Sequence, residues 1–161
     1  MAEQQRVVVV GVDLEADGDE AIRAALARKA ESPSLELHFV YAADATNLPD
    51  AFGELEFDSD AELVDHARKL VLQRVERGAS ARGLPWAEGG LGVVHVEPGK
   101  PVALLLSLCE RYGAELLIVG THGRRGLDRL MVGSVAEALL RQAACDVLVA
   151  RTSVSAATRP L

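Results

Sequence analysis

Residues Gly120 to Ser134, GTHGRRGLDRLMVGS, hold the residue types and spacing best able to do chemistry. Gly120 and Gly123 bracket Thr121 and His122 directly after the apolar run Leu116 to Val119. In such a turn successive N–H groups form a concave anion nest, and glycine lets the backbone approach a ligand without a Cβ in the way. Gly133 and Ser134 then lead into a helix-like run, Val135 to Leu140. The first N–H groups of a helix have no internal partner and point outward, as a phosphate requires. Arg124, Arg125 and Arg129 either add charge-assisted contacts to a polyphosphate or stand solvated in the loop. Ser134 opens a capping box, Ser-Val-Ala-Glu, so its hydroxyl caps the helix or faces phosphate oxygens.

Other chemistries lack their residues. No GxxxxGK[ST] run exists, and the segment after the first strand, GVDLEADG, has the wrong spacing for a dinucleotide fingerprint. His122 has no nucleophile beside it, and THGRRG lacks the second histidine of an HxGH motif. The carboxylates Asp44, Asp50, Glu54 and Glu56 lack calcium-loop spacing. Cys109 and Cys145 have no Cys or His neighbour at metal-ligand spacing and read as buried reduced thiols.

The loop needs elements to hold it. Arg6 to Val12 is a continuous β-branched run of strand length, the pattern of a strand buried on both faces, and it ends at Asp13. Asp13 caps a turn, or contacts a ligand at the carboxyl end of a central strand. A helix over AIRAALARKA follows, then a strand over Leu35 to Ala42 containing His38, read as a packed histidine. The longest helix spans Asp58 to about Ala81, with Leu63, Ala67, Leu70, Val71, Arg74 and Val75 on one stripe. Trp86 precedes a third strand, Leu91 to Val96, and EPGKP turns into a helix over Val102 to Tyr112 that stops at Gly113. Glu115 to Gly120 is the fourth strand and Asp146 to Arg151 the fifth. Five alternations predict a single α/β domain: a five-stranded, doubly wound parallel sheet with helices on both faces. Ligands of such sheets bind outside the carboxyl ends of the strands, where the order reverses, and Asp13 and the Gly120 loop both lie at carboxyl ends.

The bulk composition fits. The chain has 161 residues, 49% of them hydrophobic and only 4% aromatic, which suits an aliphatic core between layers. A formal charge of −7 argues against nucleic acid as a partner. No apolar stretch reaches membrane-spanning length and MAEQQR lacks a signal-peptide pattern, so the expected location is the cytoplasm. The tail from residue 153 has little to bury and is expected to be disordered.

The spacing Gly120-x-x-Gly123, nine residues, then Gly133-Ser134 resembles the ATP-binding motif of the universal stress protein family. VVVVGVD, LELHFV, AELLIVGTHG and CDVLVAR extend the resemblance over nearly the whole chain, the acidic Ala43 to Phe57 loop and the tail excepted, and imply one domain over residues 1–152. The resemblance implies a Rossmann-like protein that holds ATP, or AMP or ADP, with Mg²⁺. It places Asp13 against adenine and ribose and the backbone at Phe39 on the adenine edge. Gly120 and Gly123 fall beside ribose and phosphates, and Gly133, Ser134 and Val135 around the phosphates. It further implies a homodimer through the last strand and a regulatory role in stress response, read by a protein partner such as a transporter or signalling protein. A slow ATPase and a nucleotide-independent dimerisation module are the alternatives. The chain departs from the family where Leu14 and Glu15 replace Gly-Ser and Gly18 replaces a second serine. Glu15 is thus free to repel phosphate, help hold Mg²⁺ or point away.

Overall fold

A computed structural model of the chain describes residues 5–15, 18–85, 90–121 and 132–151. Trp86, His122, Gly123, Arg124, Arg125, Arg129 and the tail from residue 153 lie outside the described residues.

The elements alternate as β1 (Val7–Gly11), α1 (Glu20–Glu31), β2 (Glu36–Ala43), α2 (Asp60–Ala81), β3 (Gly92–Pro98), α3 (Pro101–Tyr112), β4 (Leu116–Gly120), α4 (Ser134–Gln142) and β5 (Asp146–Ala150). All five strands are parallel, in the order β3-β2-β1-β4-β5. β1 is central, which explains its unbroken valine run. Val8 and Val10 pack on one face with Ile22 and Leu26 of α1 and Val71 and Val75 of α2. Val9 packs on the other with Leu105 and Leu108 of α3 and Leu139 of α4. A strand covered on both faces has no position for a polar side chain.

Local signals set the helix ends. Ser59 caps α2, its hydroxyl accepting the Glu62 N–H at 3.2 Å. Pro101, read from sequence as part of the turn, takes the first helical position of α3, where a missing N–H costs nothing. Gly113 ends α3 at φ +60°, the left-handed conformation that glycine adopts without strain. β3 continues through Glu97 and Pro98 because they pair with Ala42 and Ala43 of β2.

Candidate functional site

From β1 the chain steps to β2 on one side and later returns to β4 on the other, so the sheet order reverses between β1 and β4. An open cleft forms there, above the carboxyl ends of these strands. Asp13, Gly120, Gly133 and Val135 all line it. The fold therefore brings together four sequence-predicted positions from both ends of the chain.

Asp13 sits two residues beyond β1, with Oδ1 accepting the Glu15 N–H at 3.1 Å. Burial pushes its carboxyl up to about 6, against the Glu15 N–H, which favours the charged form; the carboxylates of Glu15 and Glu20 push it further up and Arg74 opposes them. Gly18 explains one departure from the family pattern. A Cβ at that position would lie 2.0 Å from Asp13 Oδ1 and 2.5 Å from its carbonyl oxygen, so only glycine leaves the carboxylate its place. Gly120 is the opposite case: among the described residues a Cβ there would meet only Glu20 Oε2, at an ordinary 3.7 Å. Packing among the described residues does not demand glycine at 120.

Among the described residues, the Gly133 N–H donates to the Thr121 carbonyl at 2.9 Å, joining the end of β4 to the start of α4. This changes two expectations. Gly133, not Ser134, is the cap of α4, with φ −63° and ψ 158°, and Glu137 pairs with Arg141 instead of closing a capping box. The Gly133 N–H is also already used. Ser134, Val135 and Ala136 then supply the N–H groups of the first helical turn, which have no acceptor within the helix. Val135 and Ala136 line the cleft, while Ser134 is exposed at its margin.

Phe39 is not at the cleft. Its side chain is fully buried in the core and it pairs with Val10 and Val94 in the middle of the sheet. Val40 accepts the Val12 N–H at 2.8 Å, so the backbone of Val40 faces β1 and that of Phe39 faces β3. By the same alternation Ala42 turns its backbone toward the side where β1 has ended. Val40, Tyr41 and Ala42 line the cleft in place of Phe39.

Sequence reasoning missed two supports of the site. Arg74 of α2, placed on an apolar stripe, donates to the carbonyls of Glu15 at 2.6 Å and Leu14 at 2.8 Å, and to Asp19 at 3.1 Å. It fastens the backbone on which Asp13 and Glu15 stand. At the mouth, Lys100 lies 2.7 Å from Asp44 Oδ2 and Thr46 donates to Oδ1 at 2.6 Å. These bonds, that of Lys100 first, hold the Asp44 carboxyl at about 2. The one available signal for Arg74 was a charge within an otherwise apolar stripe, which requires polar partners.

Among the described residues the cleft is lined by the carboxylates of Asp13, Glu15 and Asp44 and by no basic side chain. Its favourable feature for an anion is the start of α4. No cluster of three or more metal-ligating side chains occurs among the described residues. His38 is elsewhere, buried with Nε2 2.8 Å from Glu36 and Nδ1 2.8 Å from His95. Among the described residues no helix is long and apolar enough to cross a membrane.

A family model described as universal stress protein family matches residues 5–151. A universal stress protein of Methanocaldococcus jannaschii, MJ0531, is 28% identical over 118 residues, covering 72% of this chain and 65% of its own length. A putative universal stress protein of Staphylococcus haemolyticus is 44% identical over 66 residues, covering 38% of this chain and 40% of its own. The matched stretches thus span less than two thirds of these relatives. Among solved structures, a universal stress protein in complex with cAMP superposes with a TM-score of 0.65 at 25% identity, over 92% of this chain and 98% of that one. The hypothetical protein MJ0577 shares the fold, with a TM-score of 0.70 at 18% identity over 94% and 99% of the two chains.

Proposed function

We propose, for a chain that belongs to the universal stress protein family, that this cleft holds an adenine nucleotide and that its occupancy is read by a protein partner. The carrying observation is that Asp13 and the first turn of α4 line one cleft at the reversal of the sheet. Nucleotides bind at such a point, sugar against a strand-end carboxylate and phosphates against a helix start. The neighbour crystallised with cAMP supports the ligand class.

In this reading Asp13 accepts hydrogen bonds from the ribose hydroxyls, and its tie to the Glu15 N–H keeps it oriented. The backbone of Ala42, rather than Phe39, reads the adenine edge. Gly120 gives the sugar and first phosphate room, with Gly123 and Arg124 assigned by the motif alone. The N–H groups of Ser134 and Val135, with the Ser134 hydroxyl, receive the phosphates. ATP is the expected resident. Magnesium is bound mainly through phosphates and one or two carboxylates, and Glu15 is a lining carboxylate that fits this role. The role is holding and signalling, in the cytoplasm, rather than turnover.

β5 pairs only with β4 among the described strands, and DVLVA is a short apolar edge, so a second copy adding along it gives the proposed homodimer. The test is mass spectrometry of small molecules released from the purified chain by denaturation. An adenine nucleotide at near one per chain supports the reading, and a different class of molecule held in its place refutes it.

A further inference from the structure

The fold brings together two residues that the nucleotide site does not use. Cys109 lies in the last turn of α3, buried, and its carbonyl accepts the Ala114 N–H at 2.9 Å where the chain turns into β4. Cys145 directly precedes β5 and by strand alternation shares a face with Val147 and Val149. All three pack against the cluster that contains Cys109, Leu108 and Leu139. Both cysteines are therefore at the amino end of the sheet, beneath α3 and away from the cleft. Cys145 packs against the cluster that holds Cys109, and both are free thiols.

We propose that Cys109 and Cys145 form a redox-modification site, converted by a hydroperoxide into an intramolecular disulfide. Cys145, the more accessible of the two, reacts first. Its thiolate attacks a peroxide oxygen, the O–O bond breaks, water leaves and a sulfenic acid forms. The Cys109 sulfur then attacks the Cys145 sulfur, the S–O bond breaks, and hydroxide leaves as water with the Cys109 proton. Two thiols lose two electrons and two protons, and hydrogen peroxide is reduced to two waters.

Burial, and then the charge of Cys145, push the Cys109 thiol up to about 12, so Cys145 is the thiol that meets the peroxide first. The charge contribution disappears once Cys145 is a neutral sulfenic acid. The closed link spans β4, the glycine loop and α4, and so restrains the whole segment that starts and ends the proposed phosphate site.

The experiment treats the full chain with a modest excess of hydrogen peroxide, alkylates in denaturant, digests without reductant and reads the peptides by mass spectrometry. The expected result is joint loss of both thiols and a Cys109–Cys145 linked peptide in most molecules, reversed by dithiothreitol, with no interchain product. In Cys109→Ser the same dose carries Cys145 on to sulfinic acid. Wild-type chains with Cys145 over-oxidised while Cys109 still alkylates, or linked between chains, overturn the proposal. So does an identical fate of Cys145 in the wild type and the variant.

Discussion

Gly18 lies directly against Asp13: a Cβ added at residue 18 would fall 2.0 Å from the Oδ1 that accepts the Glu15 N–H. The glycine that replaces a family serine is thus what allows the carboxylate its position. Gly18→Ala is expected to displace Asp13 and weaken adenine nucleotide binding by tenfold or more, about 1.4 kcal/mol. Titration calorimetry of the variant checks this, with circular dichroism to show that the fold is kept.

Asp13 also makes stability depend on pH. Its folded carboxyl, near 6, lies above the ordinary 3.8, so between these values the folded chain binds more protons than the unfolded one. Stability without nucleotide is therefore expected to rise as pH falls from about 6 toward 4. The difference between about 6 and 3.8 bounds the effect at about 3 kcal/mol. Asp13→Asn is expected to melt higher than the wild type at pH 7.5, to lose that advantage near pH 4, and to bind nucleotide poorly. Thermal melts across this range read the difference directly. Asp44, held near 2, acts in the opposite sense, and only below about pH 4.

Arg74 holds three points of the β1–α1 connection, so its removal frees the backbone that carries Asp13. Arg74→Ala is expected to cost about 1–3 kcal/mol of stability, because it removes the guanidinium from Asp19 and from the carbonyls of Leu14 and Glu15. Nucleotide affinity should fall several-fold as well. Arg74→Lys should recover little of either, since one ammonium cannot reproduce the fork of the guanidinium. Chemical denaturation and calorimetry on both variants provide the test.

Gly133→Val places a branched side chain at the entrance to the first turn of α4. The backbone there, φ −63° and ψ 158°, is open to any residue, so the expected loss of stability is about 1 kcal/mol or less, that of a poorer cap. ATP binding should be abolished. A large drop in melting temperature would assign the glycine to packing instead.

The order of elements and the two-sided burial of β1 were legible because β-branched runs and helical stripes report directly on layers. That Asp13 and Gly120 share one cleft followed, since one comes just after β1 and the other ends β4. What the residues alone did not reveal depended on neighbours. Whether Phe39 or Ala42 turns its backbone to the cleft is decided by which strands flank β2. The partners of Arg74 lie more than fifty positions away, in a loop that folds back over α2. The cap of α4 is Gly133 because its extended backbone offers the carbonyl that accepts the Glu137 N–H at 2.9 Å. Cys109 and Cys145 meet only because α3 and β5 share one face of the sheet.

The most direct measurement is calorimetry of the refolded, nucleotide-stripped chain titrated with ATP in the presence of Mg²⁺. One site per chain with sub-millimolar affinity, weakened in Asp13→Asn and lost in Gly133→Val, is the predicted result. A folded chain that takes up no adenine nucleotide, whether ATP, AMP or cAMP, would contradict the account.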